Sequence, residues 1–268
     1  MRTLGWIAIN GFRESVRDKV MYSLVAFAVL LICTSYVLGQ LTAGQDLKIM
    51  KDLGLSSISV FGLFMAVFIG IGLVSKEVER RSVYALLAKP IRRVDLVLGK
   101  YLGLVLTLTT NVAVMTVALY AVLAYVSRGE NEFARQAREA PALDPAMLKA
   151  VVLTLMQLMI VTATAVFFST FSTPILSAAL TFGVYVAGYF STDLRNFELV
   201  VDSRVVQSVA RGLYYVLPNL SAFDVTAQVV HGLPVGWRYM AVTTAYGLTY
   251  IAILLVISAT IFSRRDFK

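Results

Sequence analysis

Few residues in this chain are of types that do covalent or acid–base chemistry, and their spacing works against it. Glu77 and Glu79 form the most suggestive carboxylate pair, yet two residues apart on a helix they point to different sides. The only Gly-Lys dipeptide, Gly99-Lys100, lacks the earlier glycine of a phosphate-binding loop. It also runs into Tyr101 where a Ser or Thr would be needed for Mg²⁺. His231 and Cys33 are the sole histidine and cysteine, so no disulfide, Cys-based metal site or intramembrane His ligation is expected within one chain. His231 reads as an exposed surface residue and Cys33 as a small buried hydrophobe. No Ser–His–Asp array falls in a plausible membrane site. The polypeptide is expected to be non-catalytic alone, with no metal and no cofactor of its own.

The charged chemistry is concentrated instead in residues 76–100, KEVERRSVYALLAKPIRRVDLVLGK. Seven basic residues (Lys76, Arg80, Arg81, Lys89, Arg92, Arg93, Lys100) stand there against Glu77, Glu79 and Asp95. Val78, Val83, Ala85, Leu86 and Leu87 give a first short helix an apolar side. Pro90 disfavours helical geometry at Lys89 and removes a backbone donor, so that helix should stop by about Ala88. A second should restart near Arg92 and run through Leu96 and Leu98. A purely topological loop needs neither the Leu86–Leu87 pair nor a proline-broken pair of helices; a docking surface does.

Positioning that surface falls to a membrane scaffold. The chain has 268 residues, 58% of them hydrophobic and only 15% charged, against about 25% charged in soluble domains. Several apolar runs reach the roughly 20 residues that cross a bilayer. The spacing predicts six spans, at 20–39, 56–75, 101–126, 149–171, 175–190 and 241–262. Polar segments at 40–55, 127–148 and 191–240 link them on one side. The 76–100 hairpin and the tight Ser172-Thr173-Pro174 turn link them on the other. Residues 3–19 carry Asn10, Arg13, Glu14, Arg17 and Asp18 on one face and Leu4, Ala8, Ile9, Phe12 and Val16 on the opposite one. With Trp6 at headgroup level, that helix is expected to lie on the inner membrane surface, and the first span to remain uncleaved.

The net charge of +8 falls wholly on the proposed inside segments. Both termini and the hairpin are therefore expected in the cytoplasm, and no nucleic-acid partner is implied. Gly99 and Gly103 make a G-x-x-x-G at the entrance of the third span, a spacing compatible with close helix approach and one that also arises by chance. Within 191–240, Val205, Val206, Val209, Leu213 and Val216 form a helical stripe stopped by Pro218. Ser221 with Asp224 resembles a helix N-cap pair, and Gly232 with Pro234 marks that helix's end. These two short helices read as an outer excursion, with a partly re-entrant course as the alternative.

No Asp, Glu, Lys, Arg or His is expected inside a span, which argues against an ion-coupled carrier. The polar groups at depth are mild: Thr107, Thr109, Thr110, Asn111 and Thr116, then Gln157, Thr162 and Thr164. Interhelical hydrogen bonding is their favoured role. Asn111 and Gln157 are the candidates for a translocation pathway.

The order Glu77, Glu79, Ser82, Leu86-Leu87, Pro90, Arg93, Gly99-Lys100 resembles the first cytoplasmic loop of type-2 ABC export permeases. It is closest to the branch that includes the permease of nitrous-oxide reductase maturation clusters, and the six-span layout and residues 217–225 extend the likeness over nearly the whole chain. The resemblance implies a single all-α permease domain over 1–268, with an N-terminal interfacial helix at 1–19 and a coupling-helix hairpin at 76–100. It also implies a groove on a separate ABC ATPase subunit, which binds ATP and Mg²⁺, for that hairpin. Glu77, Glu79, Arg80, Arg81 and Arg93 would supply charge there, Leu86 and Leu87 an apolar anchor, and Pro90 the bend. A second permease copy and a bacterial or archaeal cell membrane belong to the same implication. The alternatives are an ATP-independent carrier or channel and a non-transporting assembly factor.

Overall fold

The computed structural model describes residues 2–41, 46–79, 93–128, 141–191, 212 and 216–264. Among them lie eight α-helices and no strand: α1 (Arg2–Val16), α2 (Lys19–Gln40), α3 (Asp46–Glu79), α4 (Arg93–Arg128), α5 (Ala146–Ser169), α6 (Pro174–Tyr189), the short α7 (Thr226–Val230) and α8 (Trp237–Arg264). Five of them (α2, α3, α4, α5 and α8) are long and apolar enough to cross a bilayer. The sixth expected span is α6, apolar but only 16 residues long, or about 24 Å. This is an all-α, multi-pass membrane architecture.

Helix α5 is the most enclosed of the spanning helices, as a helix hydrophobic on all sides should be. Helices α3 and α8 pack along it, and α2 packs along α3. A Cβ added at Gly70 of α3 would lie 2.5 Å from the Ala165 Cβ, so the α3 and α5 backbones cross closely there. On α2, the buried stripe Met21, Ala28, Ile32, Ser35 and Gly39 turns inward. Cys33 is exposed on that helix's outer side rather than buried, because it falls between the inward positions of the stripe.

Several expected boundaries move. Helix α1 ends at Val16, not Lys19, and the Asp18 carboxylate accepts from Val20 N at 3.1 Å to start α2. The polar segment expected at 40–55 is helical from Asp46, continuous with the span that follows. Its charges hid an apolar stripe of Leu47, Met50, Leu55 and Ile58, all buried. Lys51 lies on the same helix at 2% exposure, its Nζ donating to the Pro141 carbonyl at 2.7 Å. A buried lysine thus sits within a spanning helix, near its end, where none was expected. Helices α5 and α8 likewise begin three and four residues earlier than the spans read from hydropathy alone. The tight turn before α6 is present, with Pro174 in its first helical turn.

Candidate functional site

The sequence placed the docking surface at 76–100, and the structure carries its two flanks. Helix α3 runs unbroken through the positions of Glu77 and Glu79, and α4 opens at Arg93. No boundary therefore separates the second span from the first hairpin helix before Glu79. Arg80, Arg81, Leu86, Leu87 and Pro90 lie outside the described residues, as does the proposed helix end at Ala88. At 34 and 36 residues, α3 and α4 measure about 51 and 54 Å. A hydrocarbon core is about 30 Å thick, so both extend well past one.

The start of α4 is held from two sides. Helix α1 crosses it at the G-x-x-x-G: a Cβ on Gly103 would fall 2.6 Å from the Ala8 carbonyl oxygen, and one on Gly99 2.8 Å from Ile7 side-chain atoms. The motif does bring two helices into backbone contact, and its partner is the N-terminal helix. Gly11 and Ser15 of α1 are buried, whereas Trp6 is 72% exposed. From α5, the Met159 carbonyl accepts from the Tyr101 hydroxyl at 3.1 Å.

Asn111 and Gln157 are not brought together. Asn111 Nδ2 donates to Met65 Sδ at 3.3 Å, tying α4 to α3. Gln157 is buried on α5 and its Nε2 donates to the Leu220 carbonyl at 3.4 Å. The threonines do not bridge helices as expected. Thr107, Thr109, Thr110, Thr116, Thr162 and Thr164 each donate to the carbonyl four residues back on their own helix, at 2.7–3.0 Å. A hydroxyl in an apolar bundle is satisfied most simply by that local bond.

What sequence reasoning missed is how residues 216–235 are held. Tyr250, about 20 Å along α8 from Trp237, donates its hydroxyl to the Val216 carbonyl at 2.9 Å. Tyr246 accepts from Asn219 N at 2.9 Å. Tyr239 donates to Ala222 O at 2.6 Å, and Tyr189 donates to Asp224. Gly188 lies so close to the segment that an added Cβ would stand 2.6 Å from Pro218 O; at Gly247 it would stand 3.1 Å from the Phe223 ring. Leu220 and Phe223 are fully buried. Beyond α7, Lys149 Nζ donates to Val235 O at 2.8 Å and sits 4.7 Å over the Trp237 ring. The segment therefore climbs from near the middle of the bundle to its rim. Protein groups satisfy its irregular backbone along the way.

The expected cap pair resolves differently. Ser221 donates to Asn219 Oδ1 and starts a 3₁₀ turn, Ser221–Phe223. Asp224 accepts from Thr226 N at 3.0 Å at the head of α7. Gly232, with φ of 70°, ends α7 as expected, with Leu233 N donating to Gln228 O and Gly232 N to Val229 O; only glycine takes that backbone without strain. Val205, Val206, Val209 and Leu213 lie outside the described residues. His231 is exposed, as expected.

An aromatic row also escaped notice. Phe64 of α3 stands 6.4 Å from Phe182 of α6, followed by Tyr185 at 6.3 Å and Tyr189 at a further 6.2 Å. The spacing of Phe182, Tyr185 and Tyr189 marks one helix face and was visible in the sequence. Phe64, Phe182 and Tyr189 are exposed, presenting an apolar wall with few polar groups.

Across residues 5–267 the chain matches the family described as ABC-2 family transporter protein. No curated protein matches it.

Proposed function

Because the chain belongs to the ABC-2 transporter family, we propose that it is the permease subunit of an ATP-driven exporter whose ATPase is a separate polypeptide. A second permease copy would complete the translocation pathway. The observation that supports this reading best is the pair of helices α3 and α4, each longer than a bilayer core is thick, whose ends at Glu79 and Arg93 flank the basic 80–92 sequence. A basic segment between spans stays on the cytoplasmic side, so both termini would be cytoplasmic and the 216–235 segment would face outward in a cell membrane. ATP and Mg²⁺ would bind the partner; ATP closure of the ATPase pair would push on the hairpin. A pathway along the exposed aromatic row, with half-buried Asn111 the mild polar group on α4, would suit an amphipathic or apolar cargo.

The decisive experiment reverses charge in the proposed coupling surface, with Glu79→Arg and Arg81→Glu together. Desolvated interfacial pairs are costly to break, since the abandoned partner stays buried. The double variant should insert normally and lose ATPase association or uncouple hydrolysis from transport. The same reversal at Glu130 and Arg138 should do much less. If both double variants bind ATPase and transport equally, the loop is only a tether and the assignment fails. Labelling of a cysteine at Lys89 by an impermeant reagent from outside the cell would overturn the orientation.

A further inference from the structure

On α4, the residues Thr116, Tyr120, Ala124 and Arg128 recur every fourth position and so share one face. With Val117 and Ala121, the first three of these form one wall of an open groove of about 550 Å³, whose other wall is Leu143 and Leu148; Arg128 lies beyond the lining. That volume is in the range of small-molecule sites. The far wall is fixed in place: the Tyr120 hydroxyl donates to Asp144 O at 3.0 Å, and Asp144 directs its carboxylate to Ala146 N at 2.8 Å.

The groove offers almost nothing to a polar ligand. The Thr116 hydroxyl is already bonded to Val112 O at 2.7 Å, and the remaining lining is apolar apart from the engaged Tyr120. A peptide or sugar would lose its water there without compensation. Hydrocarbon requires no partner. One turn past Ala124, on the same face, stands the exposed guanidinium of Arg128, a group suited to phosphate. From Thr116 to Arg128 is about 18 Å of helix, and one leaflet's share of the hydrocarbon core is about 15 Å. Cation and groove are therefore spaced as headgroup and tail are.

We propose that this groove is a phospholipid site, with one acyl chain lying along α4 from Thr116 to Ala124 and its phosphate on Arg128. The site sits at the end of the bundle remote from the 80–92 segment. It keeps a lipid against the α4–α5 joint, where Tyr120 and Lys51 both hold the 141–146 approach to α5.

Native mass spectrometry of the delipidated protein, titrated with phosphatidylglycerol or with diacylglycerol of the same chains, tests it. The wild type should take up one phosphatidylglycerol per chain ahead of all others. Ala121→Trp, which fills the groove, should abolish that first uptake, and the milder Val117→Phe on the exposed wall should weaken it. Arg128→Gln should weaken phosphatidylglycerol about fivefold, the value of one cation at a lipid surface, and leave diacylglycerol unchanged. Arg238→Gln, equally exposed elsewhere, should change neither. Wild-type uptake by monodisperse Ala121→Trp and Val117→Phe would overturn the proposal. So would equal loss of both lipids in Arg128→Gln, or a cysteine at Val117 that cross-links a second copy of the chain.

Discussion

Alanine at Gly103 puts a single methyl where α1 crosses α4. The new Cβ would lie 2.6 Å from Ala8 O and 3.2 Å from Phe12 N, both backbone atoms that cannot rotate away. Ordinary contact starts at 3.4 Å, so the two backbones must separate by roughly 0.8 Å, the difference between 3.4 and 2.6 Å. Overpacking of this kind costs about 1–3 kcal/mol. Replacing a mid-helix glycine by alanine returns roughly 0.5–1 kcal/mol. The net spans about 0 to 2.5 kcal/mol and centres near 1 kcal/mol, a factor of roughly 5–10 in the docked population. A 15-residue helix is marginal in isolation, so α1 should show the loss directly. Deuterium uptake across Arg2–Val16 should quicken by about that factor, while α5 stays unchanged as internal reference. Gly183→Ala is the matched control, because a Cβ there meets nothing within 4 Å. Unchanged α1 protection in Gly103→Ala, or the same loss in Gly183→Ala, would refute the close-crossing argument.

Three further outcomes follow from the polar contacts between distant parts of the chain. Tyr246→Phe and Tyr250→Phe each remove one hydroxyl from the 216–219 backbone. Each should cost about 0.5–1.5 kcal/mol, read as faster exchange at 216–224 with α2 unaffected. Lys51→Met strands the Pro141 carbonyl and should cost about 1.5–3 kcal/mol, the range for bonds to charged groups, seen as a lower melting temperature in detergent. Gln157→Leu leaves Leu220 O without its side-chain donor and should loosen the same 216–224 stretch by about 1–3 kcal/mol; unaltered exchange there would contradict the hydrogen bond.

The spans were legible because membrane helices are written in one dimension: about 20 apolar residues in a row need no partner to be recognised. The start of α3 was not legible, since Asp46, Lys48, Lys51 and Asp52 lowered local hydropathy while Leu47, Met50 and Leu55 still made a buried face. The Gly99–Gly103 pair announced a close crossing but could not name α1 as the helix that crosses. Least legible was the clasp on 216–224. Tyr189, Tyr239, Tyr246 and Tyr250 sit in or near spans, where tyrosine is common for interfacial reasons, and each of their contacts joins positions at least 17 residues apart. Local pattern carries no trace of such pairings.

The helix packing also constrains how the proposed coupling would work. Movement delivered at the 80–92 segment would enter the membrane through α3, whose tight crossing with α5 lies at Gly70 and Ala165. From Gly70 to Glu79 is about 14 Å and from Gly70 to Asp46 about 36 Å, so a pivot at that crossing would enlarge a small displacement some 2.5-fold at the far end. That far end is not free to swing alone. Gly39 of α2 meets Met50, and Lys51 is bonded to Pro141. Helix α2 would therefore travel with α3, and the approach to α5 would take the strain. The α5–α8 pair and the 216–224 segment are joined to each other by Gln157 and the α8 tyrosines, which favours their staying together as the opposing body. The seam between the two bodies would then run down the α3–α5 contact, through Gly62 against Leu158 and Gly70 against Ala165, where small residues let the helices slide with the least repacking.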